Sequence, residues 1–196
     1  MHWNYGPRLG LLTLFVRRHI QSMETPMIRL ALSLALCIPA LAQEPKLEDS
    51  ARKFAQEFYG WYVPVAAKGN KGPAFEIAIK QKPSFFSPQL LQALQEDAAA
   101  QAKVSDDIVG LDFDPFLSSQ DPSNQFVLGQ IIRKEDGYWV YFYNSKATQK
   151  HGKPNVIAVV TQSKGHWYFT NFRFPDGGDL LKTLKALKLD REKSPK

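Results

Sequence analysis

A chain of 196 residues with 25 Lys and Arg against 19 Asp and Glu has the length of one domain, and its net charge of +6 invites a nucleic-acid reading. The first 42 residues hold Arg8, Arg17, Arg18, Arg29 and Glu24, so the remainder is only +3. That is too little to argue for nucleic acid. The one cysteine, Cys37, lies in the same stretch, and the remainder therefore has no disulfide to draw on.

From Met27 the order is Met-Ile-Arg, an apolar run over residues 30–38, Pro39, and Ala40-Leu41-Ala42 before Gln43. A short basic start, an apolar stretch too short to span a bilayer, a helix breaker and a small-x-small site are the parts of a cleavable export signal, in order. The expectation is a signal peptide over 27–42, cleavage between Ala42 and Gln43, and an exported protein that is periplasmic or secreted. Cys37 makes a poor lipid-attachment site, because Leu36 stands where a small residue is wanted. Residues 1–26 read as a doubtful extension with a second apolar patch at 9–16 followed by Arg17-Arg18. Either Met27 or Met23 is the true start, or the chain starts at Met1 and the arginine pair belongs to a twin-arginine leader.

In the mature chain a first helix is expected from Asp49 or Ser50, both good caps. Phe54, Phe58, Trp61, Tyr62 and Val65 follow at helical spacing. Pro64 should kink or end this helix, because it removes the bond to Gly60. Residues 68–72 form a loop. Pro73 suits the first turn of a short second helix to Lys80, although Phe75, Ile77 and Ile79 also alternate like a strand. Ser87-Pro88 opens a third helix with Leu90, Leu91, Leu94 and Ala98 as its stripe. A long acidic connection over 105–124 carries apolar anchors at Leu111, Phe113, Phe116 and Leu117. Loops of this length are functional or held by their own side chains.

Two hairpins follow, turning at 134–137 on an Asp-Gly pair and at 163–165. Between them lies a basic loop with Lys146, Lys150, His151 and Lys153. Asp179 then caps a last helix, with Leu180, Leu181, Leu184 and Leu187 on one side and Lys182, Lys185 and Lys188 on another. Residues 190–196 are read as a disordered tail. The fold class is α+β: N-terminal helices packed on a four-stranded antiparallel meander, plus a C-terminal helix, in a single domain over 43–189.

Both sheet faces read as apolar. Tyr138, Val140 and Phe142 alternate with Trp139, Tyr141 and Tyr143, and Trp167 and Phe169 alternate with Tyr168, Thr170 and Phe172. An antiparallel sheet normally wets one face. The second face must therefore meet the C-terminal helix, a partner, or a second copy of the chain in a homodimer.

Three stretches carry a likeness: Phe54-Ala-Gln-Glu-Phe-Tyr-Gly-Trp-Tyr-Val-Pro64, Phe86-Ser-Pro-Gln-Leu-Leu91, and Gly110-Leu-Asp-Phe-Asp-Pro-Phe-Leu117 with Gln120-Asp121. With helices first and a curved sheet after, the chain resembles a family of exported bacterial proteins that carry a domain of unknown function within the nuclear transport factor 2-like (cystatin-like) superfamily. The resemblance covers nearly all of the mature chain. It implies a cone with a pocket between helices and sheet, and it implies no reaction, since such folds host isomerases, dehydratases, binding modules and scaffolds.

Candidate ligand-binding residues are Trp61 and Tyr62, the members of the aromatic face with polar handles, together with Asp112, Asp114 and Asp121 in the acidic loop. A calcium site would want six or more oxygens, closer acidic spacing and a closing Glu, which the loop lacks. Carboxylates placed like these more often cap turns. If the pocket is catalytic, Asp112 is the base and Tyr62 the hydrogen-bond donor, since His151 and His166 map to hairpin ends. No Gly-rich phosphate loop, paired histidines or serine-nucleophile motif occurs, and no metal or cofactor is expected. The reading is an exported, non-enzymatic binding module whose partner is a small ligand, an envelope component or a protein. The alternatives are a pocket enzyme of isomerase or dehydratase type and an inhibitor of a cell-wall enzyme.

Overall fold

A computed structural model describes residues 38–69, 72–120, 125–144 and 152–193, with side chains from residue 46 onward. Residues 27–37 of the expected signal, Asp121 and the basic loop at 145–151 lie outside the described residues. The fold is carried by one compact unit, Ala42–Lys196.

The described residues form four α-helices, α1 (Ile38–Ala66), α2 (Ala74–Gln81), α3 (Pro88–Gln101) and α4 (Leu180–Lys193). A 3-10 turn, Pro83–Phe85, joins α2 to α3. The strands β1 (Val127–Lys134), β2 (Gly137–Tyr143), β3 (Val156–Ser163) and β4 (His166–Arg173) make an open sheet in the order β1-β2-β3-β4, antiparallel throughout. The architecture is the α+β meander expected from the hairpin signals. Among the described residues no helix is long and apolar enough to cross a membrane.

The start of α1 departs from expectation. The helix runs from Ile38, so Pro39 does not break it and neither Asp49 nor Ser50 is its cap. Pro39 lies in the first turn of the span, where the N–H it lacks would have no intrahelical acceptor. The Ser50 hydroxyl instead accepts the indole N–H of Trp167 on β4 at 2.8 Å. At the other end, exposed Pro64 is followed by closure at Ala66, where Ala67 N–H donates to the Val63 carbonyl at 3.0 Å. In α2, Phe75, Ala78 and Ile79 are buried, a helical spacing that resolves the strand alternative. In α3 the Ser87 hydroxyl accepts the Leu90 N–H at 3.3 Å, as a cap before Pro88 should.

The helices bury one face of the sheet. Phe58 of α1 stacks on Tyr62 with centroids 5.3 Å apart, and meets Phe86, Phe116 and Phe169 edge-on. Tyr138, Val140 and Phe142 of β2, Val156, Ala158 and Val160 of β3, and Phe169 and Phe172 of β4 complete this core. These side chains occupy the space between helices and sheet in which the resemblance places a pocket. Aromatic burial on this scale dominates a small domain's stability, at about 25 cal/mol per Å² of apolar area.

A β-bulge corrects the pattern read for β4. Val159 pairs with Asn171 and Val160 with Phe169, which leaves Thr170 as the extra residue. Phe169 and Phe172, three apart, therefore both face inward, 5.2 Å centroid to centroid, where alternation put Phe172 on the opposite face. The Thr170 hydroxyl donates to the Val159 carbonyl at 3.2 Å. A second register shift falls between Leu128 and Ile131 of β1, and Arg52 of α1 donates to the Gly129 carbonyl there at 3.1 Å.

Asp179 caps α4 as expected, its Oδ1 accepting the Lys182 N–H at 3.1 Å. The helix packs against α3 and the end of β4, on the helical side of the sheet. Ile132, Trp139, Tyr141, Ile157 and Tyr168 on the second face remain half-exposed. The helix also continues to Lys193, past the tail expected from residue 190.

Candidate functional site

The acidic loop is folded by its own carboxylates against two helices. Asp114 closes a turn with Ser119, its N–H donating to the Ser119 carbonyl at 2.8 Å, and Ser118 takes a left-handed φ of 51° to make the turn. The Asp114 side chain then does two things. Its Oδ1 accepts the N–H groups of Phe116 and Leu117 at 2.9 and 3.1 Å, and its Oδ2 accepts the Tyr62 hydroxyl at 2.5 Å. Tyr59, three residues earlier on the same face of α1, donates to the Phe116 carbonyl at 2.8 Å. Two tyrosines of α1 thus fasten one turn, through its carboxylate and its backbone.

The electrostatics follow from enclosure. The residue keeps part of its surface toward a neighbouring cleft, but the carboxyl group itself is enclosed, and burial pushes the Asp114 carboxyl up to about 6. The bonds from Tyr62, Phe116 and Leu117 pull the other way without cancelling the burial. Burial, and then the charge of Asp114, hold the Tyr62 and Tyr59 hydroxyls well above the usual phenol range, so both stay protonated donors.

The upstream half of the loop is tied to α3 and α4. Asp97 of α3 is 1 % exposed; its Oδ2 accepts the Leu111 N–H at 2.9 Å and its Oδ1 pairs with Arg191 of α4 at 2.7 Å. The same Arg191 nitrogen donates to the Val109 carbonyl at 2.7 Å. One turn further along α3, Gln101 donates to the Asp107 carbonyl at 2.9 Å and accepts the Val109 and Gly110 N–H groups at 2.9 and 3.1 Å. Gly110 is required by this approach, since a Cβ there would lie 2.8 Å from Asp97 Oδ2.

Beside the turn is a cleft of about 460 Å³ whose lining includes Phe75, Leu111, Asp112, Phe113, Asp114 and Gln120. Of the residues singled out in the sequence, Tyr62 and Asp114 are brought together. Asp112 is exposed, and the carboxylate that meets Tyr62 is Asp114, so the pairing of Asp112 with Tyr62 is replaced by one two residues further on. Trp61 is half-buried against Phe58 and Tyr62, with the Lys82 ammonium 5.7 Å from its ring centroid. His166 is exposed at the start of β4. Within the lysine stripe of α4, Lys182 pairs with Asp179 at 3.2 Å and Lys188 with Glu96 at 2.9 Å.

Comparison with family models, with curated proteins and with solved structures returns no match. Chemistry must therefore be argued from the side chains. Among the described residues no group of three or more His, Cys, Asp or Glu is placed to hold a metal ion. Both Asp114 oxygens carry donors, so proton transfer through this carboxyl requires one of those bonds to open first.

Four residues of the loop's fastening were missed from sequence: Tyr59, Asp97, Gln101 and Arg191. Asp97 carried a usable signal. It lies three residues after Leu94 and one before Ala98, on the apolar stripe of α3, where a carboxylate needs a partner.

Proposed function

We propose that this chain is an exported, non-enzymatic interaction module of nuclear transport factor 2-like fold, acting on a small ligand, an envelope component or another protein. The order of helices before a four-stranded meander supports the fold assignment. The pattern over residues 27–42 supports export. The observation that carries the non-enzymatic reading is the Tyr62–Asp114 pair. Among the described residues it is the arrangement closest to acid–base machinery, and its acceptors are engaged in holding a turn shut.

The test combines location with capture. Mass spectrometry of the protein from the extracytoplasmic fraction should find a mature terminus at Gln43. A photoreactive side chain at Asp112 or Tyr141 should trap a discrete adduct there, and Asp114→Asn should keep the adduct. A terminus upstream of Met27, or no adduct from either position, would defeat the reading.

One observation favours a second reading, a pocket enzyme of isomerase or dehydratase type. A carboxyl pushed up to about 6 beside a tyrosine hydroxyl, next to a cleft, is the combination a general base uses. Asp114 would then be the base in place of Asp112, with Tyr62 as the donor. On that reading Asp114→Asn abolishes biological activity while leaving every adduct in place.

A further inference from the structure

The second sheet face carries its charges on a bed of rings. Trp139 meets two cations, with the Arg173 guanidinium 4.5 Å and the Lys134 ammonium 5.5 Å from its ring centroid. Its indole N–H donates to Asp136 at 2.8 Å. Register places Trp139 beside Val159, and Tyr141 beside Ile157, which in turn pairs with Arg173. Among the described residues neither Arg173 nor Lys134 is within ion-pair distance of a carboxylate, while Asp136 is engaged by Trp139.

We propose that this face docks an acidic segment of a partner protein, with Arg173 as the anchor and Lys134 as a second contact. The proposal rests on the interaction-module reading and names the partner's chemistry. A guanidinium lying over a ring keeps its N–H fork for a carboxylate, and bidentate pairing at a half-buried site is stronger than at an exposed one. Tyrosine, tryptophan and arginine together are the composition of interface anchors.

The same geometry disfavours two other occupants. The cations sit over the Trp139 ring, so its face is not free to stack on a sugar. A second copy with its two-fold axis at Trp139 would bring its own Arg173 and Lys134 against this pair, a like-charge contact that opposes association.

The probes are an end-blocked peptide of alternating Glu and Leu and its Lys and Leu counterpart, titrated calorimetrically into the full chain at low and high salt. The Glu peptide should bind, more weakly as salt rises, and the Lys peptide should not. Arg173→Gln should weaken binding about tenfold or more, the loss of a charge-assisted contact. Lys134→Gln, on an exposed side chain, should weaken it several-fold and keeps the test open if the first variant fails to fold by circular dichroism.

Lys185→Gln on α4 is the control and should change nothing. Absence of Glu-peptide binding, equal loss in the control, preference for a uronic-acid polymer, or a sedimenting dimer that Arg173→Gln dissociates would each overturn the proposal. An adduct trapped at Asp112 together with no peptide binding would sink this inference alone and leave the interaction-module reading standing.

Discussion

Arg191 places one guanidinium nitrogen 2.7 Å from the Asp97 carboxylate, joining residues 94 apart in the chain. The same nitrogen reaches the Val109 carbonyl, so α3, α4 and the acidic loop meet at one atom. Removing the cation would strand a carboxylate that is 1 % exposed. Arg191→Met should therefore destabilise by about 3 kcal/mol in urea denaturation, as breaking one side of a buried pair does. Asp97→Asn should cost less, since its amide oxygen can still accept the Leu111 N–H. An Arg191→Met variant within about 0.5 kcal/mol of the parent would show the pair to be a surface contact.

The Asp114 carboxyl predicts a direction for the pH dependence of stability. Its folded value of about 6 lies above the unfolded value of 3.8, so the folded state holds the proton more tightly. The stabilisation is then fully present below about pH 4 and is lost as pH rises through about 6. Two pH units correspond to roughly 3 kcal/mol, reduced to on the order of 2 kcal/mol for a residue that keeps some surface toward the cleft. Asp114→Asn should flatten the pH 4–7 profile of the urea midpoint. Tyr62→Phe removes a bond that lowers the Asp114 value, so it should move the carboxyl's titration upward, measurable by carbon-detected NMR.

How legible the fold was depends on the range of the forces that set each part. The meander, the Ser87 cap and the Asp179 cap were readable because turns and caps are made by residues within a few positions of one another. The inward turn of Phe172 was hidden, because a bulge at Thr170 shifts the alternation and nothing in the local sequence marks it. The start of α1 was missed because two capping residues, Asp49 and Ser50, sit inside the helix. The Ser50 hydroxyl is used by Trp167, 117 residues away. Within the candidate site, Tyr62 and Asp114 were both legible as residues, but not as a pair. Asp112 and Asp114 look alike in sequence, and the choice between them is made by which one closes the turn over Tyr62.

Gly110 sits against the Asp97 carboxylate, and that carboxylate is pinned by Leu111 and Arg191. An added methyl would meet Oδ2 at 2.8 Å with no free side chain to yield. Gly110→Ala should cost about 1 to 3 kcal/mol, the range for overpacking a well-filled site. It should also be non-additive with Arg191→Met, because both act on the same carboxylate. A double-mutant cycle in urea denaturation measures the coupling, and strict additivity would show that the loop relaxes away from Asp97.

The turn between β3 and β4 offers a stabilising change. Lys164 and Gly165 have φ of 51° and 82°, both left-handed, which is the conformation of a two-residue type I′ hairpin turn. Glycine adopts it freely, while lysine pays for its Cβ. Asn is the side chain that tolerates this region best and is the favoured partner before Gly in such turns. Lys164→Asn should therefore raise stability by about 0.5 to 1 kcal/mol, read as a higher urea midpoint at unchanged slope. Lys164→Val, with a branched Cβ in the same position, should lower it. Equal midpoints for the three proteins would mean that the turn does not hold this backbone conformation in solution.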